Sequence, residues 1–370
     1  MSLGLYSAVA ALFCSHFFSW SNLYSSNIQS GDSSLIAWAI QWEAYSLTHN
    51  PFELFHGNAF HPHPNSIALS EHFFSLVLFN VLFRLYSTNP WFGFNLLIFL
   101  AYVLSSCGAY LLISRLTHSK LASFWVGIFW GFLFFRIHHI GHIQIHSFQW
   151  FPLCVLFLLK FCEQPTYRNA FVLTGFFLLQ ALTSWYLAVI ISVALVVVAC
   201  CHLHRGLLTR QAAQAGLLCL FLTGLCVLPF VSPYVLDTAQ TSTLAARMED
   251  ALALGDQVQL RDYLTPPYAT FAGQYFETKK YWIWQENTLY IGYVPLLLCS
   301  GYGLSSDYLG ASLGASTLKT IVLCSHHLRW QPSAMCAPKV LSRMPGASNS
   351  RCTIWRSSSH LSAADFLYQS

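Results

Sequence analysis

The sequence predicts an all-α fold: a polytopic bundle of transmembrane helices with interfacial helices in its first outward loop. Three observations carry that prediction. Charged residues make up only 9% of the 370-residue chain and hydrophobic ones 55%, with a mean hydropathy of +0.50, whereas a soluble domain carries about 25% charged residues. Apolar runs recur along the chain at lengths near the roughly 20 residues that cross hydrocarbon. Aromatics reach 16%, with 30 Phe, 18 Tyr and 12 Trp, which suits packed helices anchored by interfacial Trp and Tyr. The net charge of +4, from 18 basic and 14 acidic residues, is too mild for a nucleic-acid partner.

In order, the apolar runs are 3–20, 91–114, 121–137, 147–162, 169–184, 186–201, 211–230 and 288–304. The shorter ones need the bilayer to thin locally. The first stretch, Met1 to Trp20, lacks the basic n-region and small-residue cleavage site of a signal peptide, and it reads as a retained span. The run 73–87 is apolar but short and holds Arg84. Basic residues gather at Arg115/Lys120, Lys160/Arg168 and Arg205/Arg210, and the positive-inside rule places those loops in the cytoplasm. The outward loops are then 21–90, 138–146 and 231–287, with 73–87 lying in the outer interface. Residues 1–302 form one multi-span membrane domain. From Gly303 the chain turns to Ser, Cys, Arg and scattered His without periodicity. Residues 303–370 therefore read as an irregular tail, disordered or a non-native continuation of the kind a frameshift produces. Most of the 12 cysteines fall inside apolar runs and no CxxC pair occurs, so they act as small hydrophobes rather than a disulfide or zinc framework.

In so apolar a chain the carboxylates of the first outward loop are conspicuous. Asp32 follows Gly31 just beyond the first span and precedes a segment with helical spacing. It is placed to cap that helix together with Ser33, to deprotonate an acceptor hydroxyl, or to bind a divalent cation. Glu43, on the same helix, reads as a surface carboxylate. The stretch 50–72 is rich in Pro and His and cannot be one regular helix. It closes on Glu71-His72, a second carboxylate and an imidazole for a site shared with Asp32. His61 and His63 have no third ligand nearby, which is weak evidence for a metal. The densest polar stretch is 136–146, with Arg136, His138, His139, His142, Gln144 and His146. Imidazoles move protons near neutral pH and Arg matches phosphate oxygens; the plain alternative is an aqueous interfacial loop. Ser184-Trp185-Tyr186 reads as a tight outward turn with interface anchors. In the last outward loop Arg261, Lys279 and Lys280 are placed to meet an anionic head group. No P-loop, GxGxxG, HExxH or GxSxG pattern occurs, so ATPases, dinucleotide enzymes, zincins and serine hydrolases lose support.

The order of these features resembles the polytopic GT-C glycosyltransferases. The resemblance rests on Gly31-Asp32 opening a long outward loop, on Asn50-Pro51 with Phe60 and Pro62, and on Glu71 before a semi-apolar helix. It continues with Asn89-Pro90 starting the next span, Asn95 inside that span, and the polar loop Arg136–His146. It covers residues 1–302. It implies transfer of a sugar from a polyprenyl-phosphate donor to a glycan, lipid or protein acceptor on the outer face of a bacterial inner membrane. It assigns Asp32 as catalytic base or acceptor-orienting carboxylate, with Glu71 assisting. The resemblance offers no direct counterpart for the histidines; the residues themselves offer His72, Arg136, His139, His142, Gln144, Arg261, Lys279 and Lys280 for substrate binding. The chain departs from the family at His139 and His142, where other members often carry an acidic residue, and that leaves a divalent cation open. An activated lipid-phosphate donor needs no ATP site, only a base and cations for the departing phosphate. The rival readings are a transporter or flippase, whose ionisable groups sit inside the spans, and an inactive or truncated membrane protein.

Overall fold

A computed structural model describes residues 2–28, 31–63, 65–133, 135–136, 139–202 and 209–236, together with 263–266, 290 and 292–293. His138, Arg261, Lys279, Lys280, the tail 303–370 and most of the run 288–304 lie outside the described residues. Every regular element described is a helix: α1 (Ser2–Cys14), α2 (Gly31–His49), α3 (Phe74–Phe83), α4 (Pro90–Thr117), α5 (Lys120–Gly131), α6 (Ile143–His146), α7 (Phe151–Glu163), α8 (Tyr167–Ala181), α9 (Trp185–Cys201) and α10 (Arg210–Leu236).

Three stretches among the described residues are long and apolar enough to cross a membrane: α4, α10 as far as Val235, and Ile143–Glu163, which joins α6 to α7. Several predicted runs make shorter helices. The run 3–20 is helical only to Cys14, and the helix in 121–137 breaks after Gly131. After Gly131 the chain turns through Phe132 and Leu133, so hydropathy alone misses that break. The ten residues of α3 rise about 15 Å, half the hydrocarbon thickness.

Helix α4 is the axis of the fold, packed against α1, α2, α3, α5 and α7. It starts where Asn89 accepts a hydrogen bond from the Trp91 N–H at 2.9 Å and Pro90 supplies a first turn that needs no donor. It ends at His118, whose φ of 54° is left-handed. Helix α5 lies tightly along α4 because Gly127 and Gly131, four residues apart, face it. A Cβ on Gly127 would strike the Tyr6 hydroxyl and the Ser106 carbonyl, and one on Gly131 would strike the Ser106 hydroxyl. Small residues at this spacing let helix backbones approach.

The segment between α1 and α4 folds onto this frame. Ile36, Ile40 and Ala44 of α2 are buried in a core with Phe73, Leu76, Phe94, Leu97 and Ile98. Polar links fix the register. Asn80 donates to the Gln41 side-chain oxygen (2.9 Å), and Gln41 donates to the Thr88 carbonyl (2.6 Å). The indoles of Trp38 and Trp42 donate to the Asn58 side chain and the His56 carbonyl. Asn95 inside α4 donates to the Leu23 and Ser25 carbonyls, pinning the segment after α1.

Candidate functional site

Two acidic centres have different partners, and each is set by a different helix start. Asp32 lies in the first turn of α2, where a carboxylate is favoured by the positive end of the helix dipole. Its side chain is 71% exposed and its Oδ2 lies 3.3 Å from Nε2 of His142, which is 23% exposed. The Ser33 hydroxyl donates to the Ile28 carbonyl at 2.5 Å. His142 in turn lines a groove of about 650 Å³ between the segment 130–151 and the first turns of α9. Its walls are Trp130, Phe135, Phe148, Phe151, Leu187 and Ile190, with His139, His142 and Gln144 as the polar members. The groove opens sideways, since Tyr186 and Ile190 are exposed. Gln144 Oε1 and the Trp130 indole N–H are buried without partners. An apolar slot with a few convergent polar groups is the usual form of a small-molecule site.

The second centre lies between α2, the segment 70–73, and the ends of α9 and α10. Here Glu71 Oε1 accepts from the Ser184 hydroxyl (2.8 Å) and from the backbone N–H groups of Trp185 (3.0 Å) and Tyr186 (3.4 Å). A residue more than a hundred positions away thus caps α9, satisfying donors that a helix start leaves open. Next to it, Ser75 N–H donates to the Leu182 carbonyl and the Thr183 hydroxyl donates to Ser75 Oγ, so the two segments are stitched together. Glu71 Oε2 is buried without a partner. Burial pushes the Glu71 carboxyl up to about 7, against the pull of its hydrogen bonds to Ser184 and the Tyr186 and Trp185 amides. His72 is fully buried and held down to about 4 by desolvation, its ring 4.2 Å from that of Trp185.

Glu43 belongs to this centre and is not a surface carboxylate: it is 1% exposed. Burial raises it to about 8, partly offset by a hydrogen bond from the Phe73 backbone. Helical spacing carries the signal, because Ile36, Ile40 and Glu43 follow one another on the same face of α2. The sequence reading placed Glu71 and His72 in a site with Asp32. The hydrogen bonds divide them: Asp32 meets His142, and Glu71 meets α9. Tyr186 links the two, because its N–H is held by Glu71 while it lines the groove.

The stretch 136–146 is not an aqueous loop. Arg136, His139, Gln144 and His146 are buried. Arg136 donates to the His146 carbonyl (3.0 Å) and the Gly131 carbonyl (2.5 Å), and its guanidinium sits 4.9 Å from the ring centres of both Tyr102 and Phe148. The guanidinium closes the end of α5 onto α6, which frames the groove from below; no ion pair to it occurs among the described residues. Gln180 does similar work behind it, accepting from Trp150 N–H and donating to the Ser147 carbonyl. Among the described residues no three His, Cys, Asp or Glu side chains gather as a metal cluster. Asp32 with His142 offers two ligand atoms.

The chain matches no protein-family model, no curated protein and no solved structure.

Proposed function

We propose that this protein is a multi-pass glycosyltransferase of the GT-C type, acting at the outer face of a bacterial inner membrane on a sugar carried by polyprenyl phosphate. The observation that supports it best is the Asp32–His142 pair, whose histidine lines an open, largely apolar groove. Phe148, Phe151, Leu187 and Ile190 suit an isoprenoid chain entering from lipid, which leaves the sugar phosphate at the polar end. His142 faces the groove and takes the proton of the acceptor hydroxyl, while Asp32 holds the ring and stabilises the imidazolium. The acceptor oxygen forms its bond to the anomeric carbon as the carbon–phosphate oxygen bond breaks. The departing phosphate keeps that electron pair and falls to the polar groups of the groove, His139 and Gln144; Arg261, Lys279 and Lys280 stay the cations that the sequence offers for the same charge. One base without a second nucleophile predicts inversion at the anomeric carbon. In this scheme Glu71 positions α9 and exchanges no proton with the acceptor or the donor.

The test mixes purified protein with radiolabelled polyprenyl-phosphate sugars and membrane acceptors. Transfer by wild type and its loss in Asp32→Asn, with thermal unfolding unchanged, is the expected result. Equal transfer by both removes Asp32 from the mechanism. A cysteine placed at Asn65 is expected to react with an impermeant thiol reagent from outside, and protection there overturns the topology. The buried Glu43 and Glu71 favour one rival, a proton-coupled transporter; substrate uptake into vesicles without any transfer product selects it.

A further inference from the structure

Glu43, Glu71 and His72 are buried titratable groups that the transfer scheme does not use for proton exchange. Glu43 Oε1, Glu71 Oε2 and both nitrogens of His72 are enclosed without hydrogen-bond partners. No cation pairs with either carboxylate among the described residues. The groups that face them are the Phe73 backbone N–H, the Ser184 hydroxyl and the Trp185 amide, with the Tyr234 hydroxyl of α10. Tyr234 donates to the Ser70 carbonyl at 2.9 Å and lies within electrostatic reach of both Glu43 and Glu71. The aromatic rings of Trp185, Phe230 and Tyr234 wall in His72.

We propose that Glu43 and Glu71 form a buried proton-binding site, and that its loading sets how firmly the start of α9, one wall of the groove, is held. A carboxylate shut away from water with no counter-charge binds a proton instead of staying ionised. His72 gives no relief, because desolvation keeps its imidazole neutral down to about pH 4. The half-buried turn at Ser70 and Glu71 is the route by which the proton exchanges with outer water. When Glu71 loses its proton, a full negative charge faces the amides of Trp185 and Tyr186 and strengthens the cap. When it is protonated, the same oxygen accepts those bonds more weakly. Because α9 carries Tyr186, Leu187 and Ile190 into the groove, ligand affinity and proton loading must be linked reciprocally. The proton site stands on its own geometry; its coupling to the groove rests on the proposed function.

Two measurements on the full chain in nanodiscs separate these parts. Infrared spectra are expected to show a protonated-carboxyl band at about pH 6 that disappears by about pH 9, well above the ordinary carboxylate range. The band is expected to shrink in Glu43→Gln and in Glu71→Gln and to vanish in the double variant. Glutamine keeps the shape of the protonated acid, so these variants fold. A wild-type spectrum without the band at about pH 6, or a band that survives in the double variant, overturns the proton site. For the coupling, farnesyl phosphate serves as the probe. Its affinity is expected to rise several-fold from about pH 6 to about pH 9 in wild type, beyond the change seen in Glu71→Gln, which keeps every titrating group except Glu71, the probe's phosphate included. Equal pH ratios in the two proteins overturn the coupling and leave the infrared result standing. A probe that binds at neither pH overturns the coupling together with the proposed function.

Discussion

Asp32 and Glu71 both sit at the start of a helix, yet their surroundings give them opposite work. Asp32 is 71% exposed beside His142, hydrated and free to meet a substrate. Glu71 spends one oxygen on three donors of α9 and has the other sealed beside an apolar aromatic cluster with Glu43. Water access sorts them: the proposed roles give proton transfer with a ligand to the hydrated carboxylate beside an imidazole, and proton binding with backbone positioning to the dry one that caps a helix.

The largest expected effect falls on the exposed centre. His142→Ala should lower sugar transfer by about 10²–10⁴-fold, the range for general acid–base groups, and added imidazole should restore part of the rate. Transfer assays on purified protein check both points; a loss that imidazole does not repair breaks the contrast by making His142 structural. Next comes the scaffold beneath the groove. Arg136→Ala removes the guanidinium donor from the Gly131 carbonyl and one of two donors from the His146 carbonyl, which keeps the Phe148 N–H, at about 1–3 kcal/mol for a buried acceptor left open. A detergent melting curve should therefore move down markedly. Gly131→Leu drives a side chain into Ser106 of α4 and should cost about 1–3 kcal/mol as overpacking, read from the same melting curve.

The buried centre predicts a pH dependence of definite sign. Folding raises the carboxyls from an ordinary 4.5 to about 7 for Glu71 and about 8 for Glu43. Across that window the folded state holds more protons than the unfolded state, so stability falls as pH rises. The contribution is full below the ordinary value and is lost once pH passes the folded value. His72, lowered from 6.5 to about 4, acts the other way, adding stability as pH rises between those limits. Melting temperatures between about pH 7 and pH 9, above the His72 window, should thus decline in wild type and flatten in Glu43→Gln. The smallest effect is Arg115→Ala. Arg115 and Glu163 pair across α4 and α7 with side chains 43% and 54% exposed, and an exposed pair is worth under about 1 kcal/mol.

Much of this arrangement was legible in the residues. The membrane-like composition, the Asn89-Pro90 start of α4 and the tight turn at Ser184 follow from local chemistry that tertiary packing leaves in place. Asp32 stood out because so few charges surround it. Helix ends were harder to read. Apolar residues continue through the turn after Gly131, so composition gives no boundary there. Glu43 was misread because a lone acidic residue in an outward helix looks solvated, although its spacing from Ile36 and Ile40 points inward. The inward turn of Arg136 depends on carbonyls at Gly131 and His146 that only the folded chain presents. The division of Asp32 from Glu71 depends on partners at His142 and Ser184, more than a hundred residues away in each case, beyond the reach of local pattern.

The central claim is that an isoprenoid phosphate occupies the groove with its head at Asp32 and His142. A photoreactive polyprenyl phosphate, cross-linked in membranes and mapped by mass spectrometry, tests it most directly. The account predicts label on Phe148, Phe151, Leu187 and Ile190, competed away by unlabelled lipid phosphate and displaced when Leu187 is replaced by Trp. Label confined to other helices, or spread evenly over every lipid-facing surface, contradicts it.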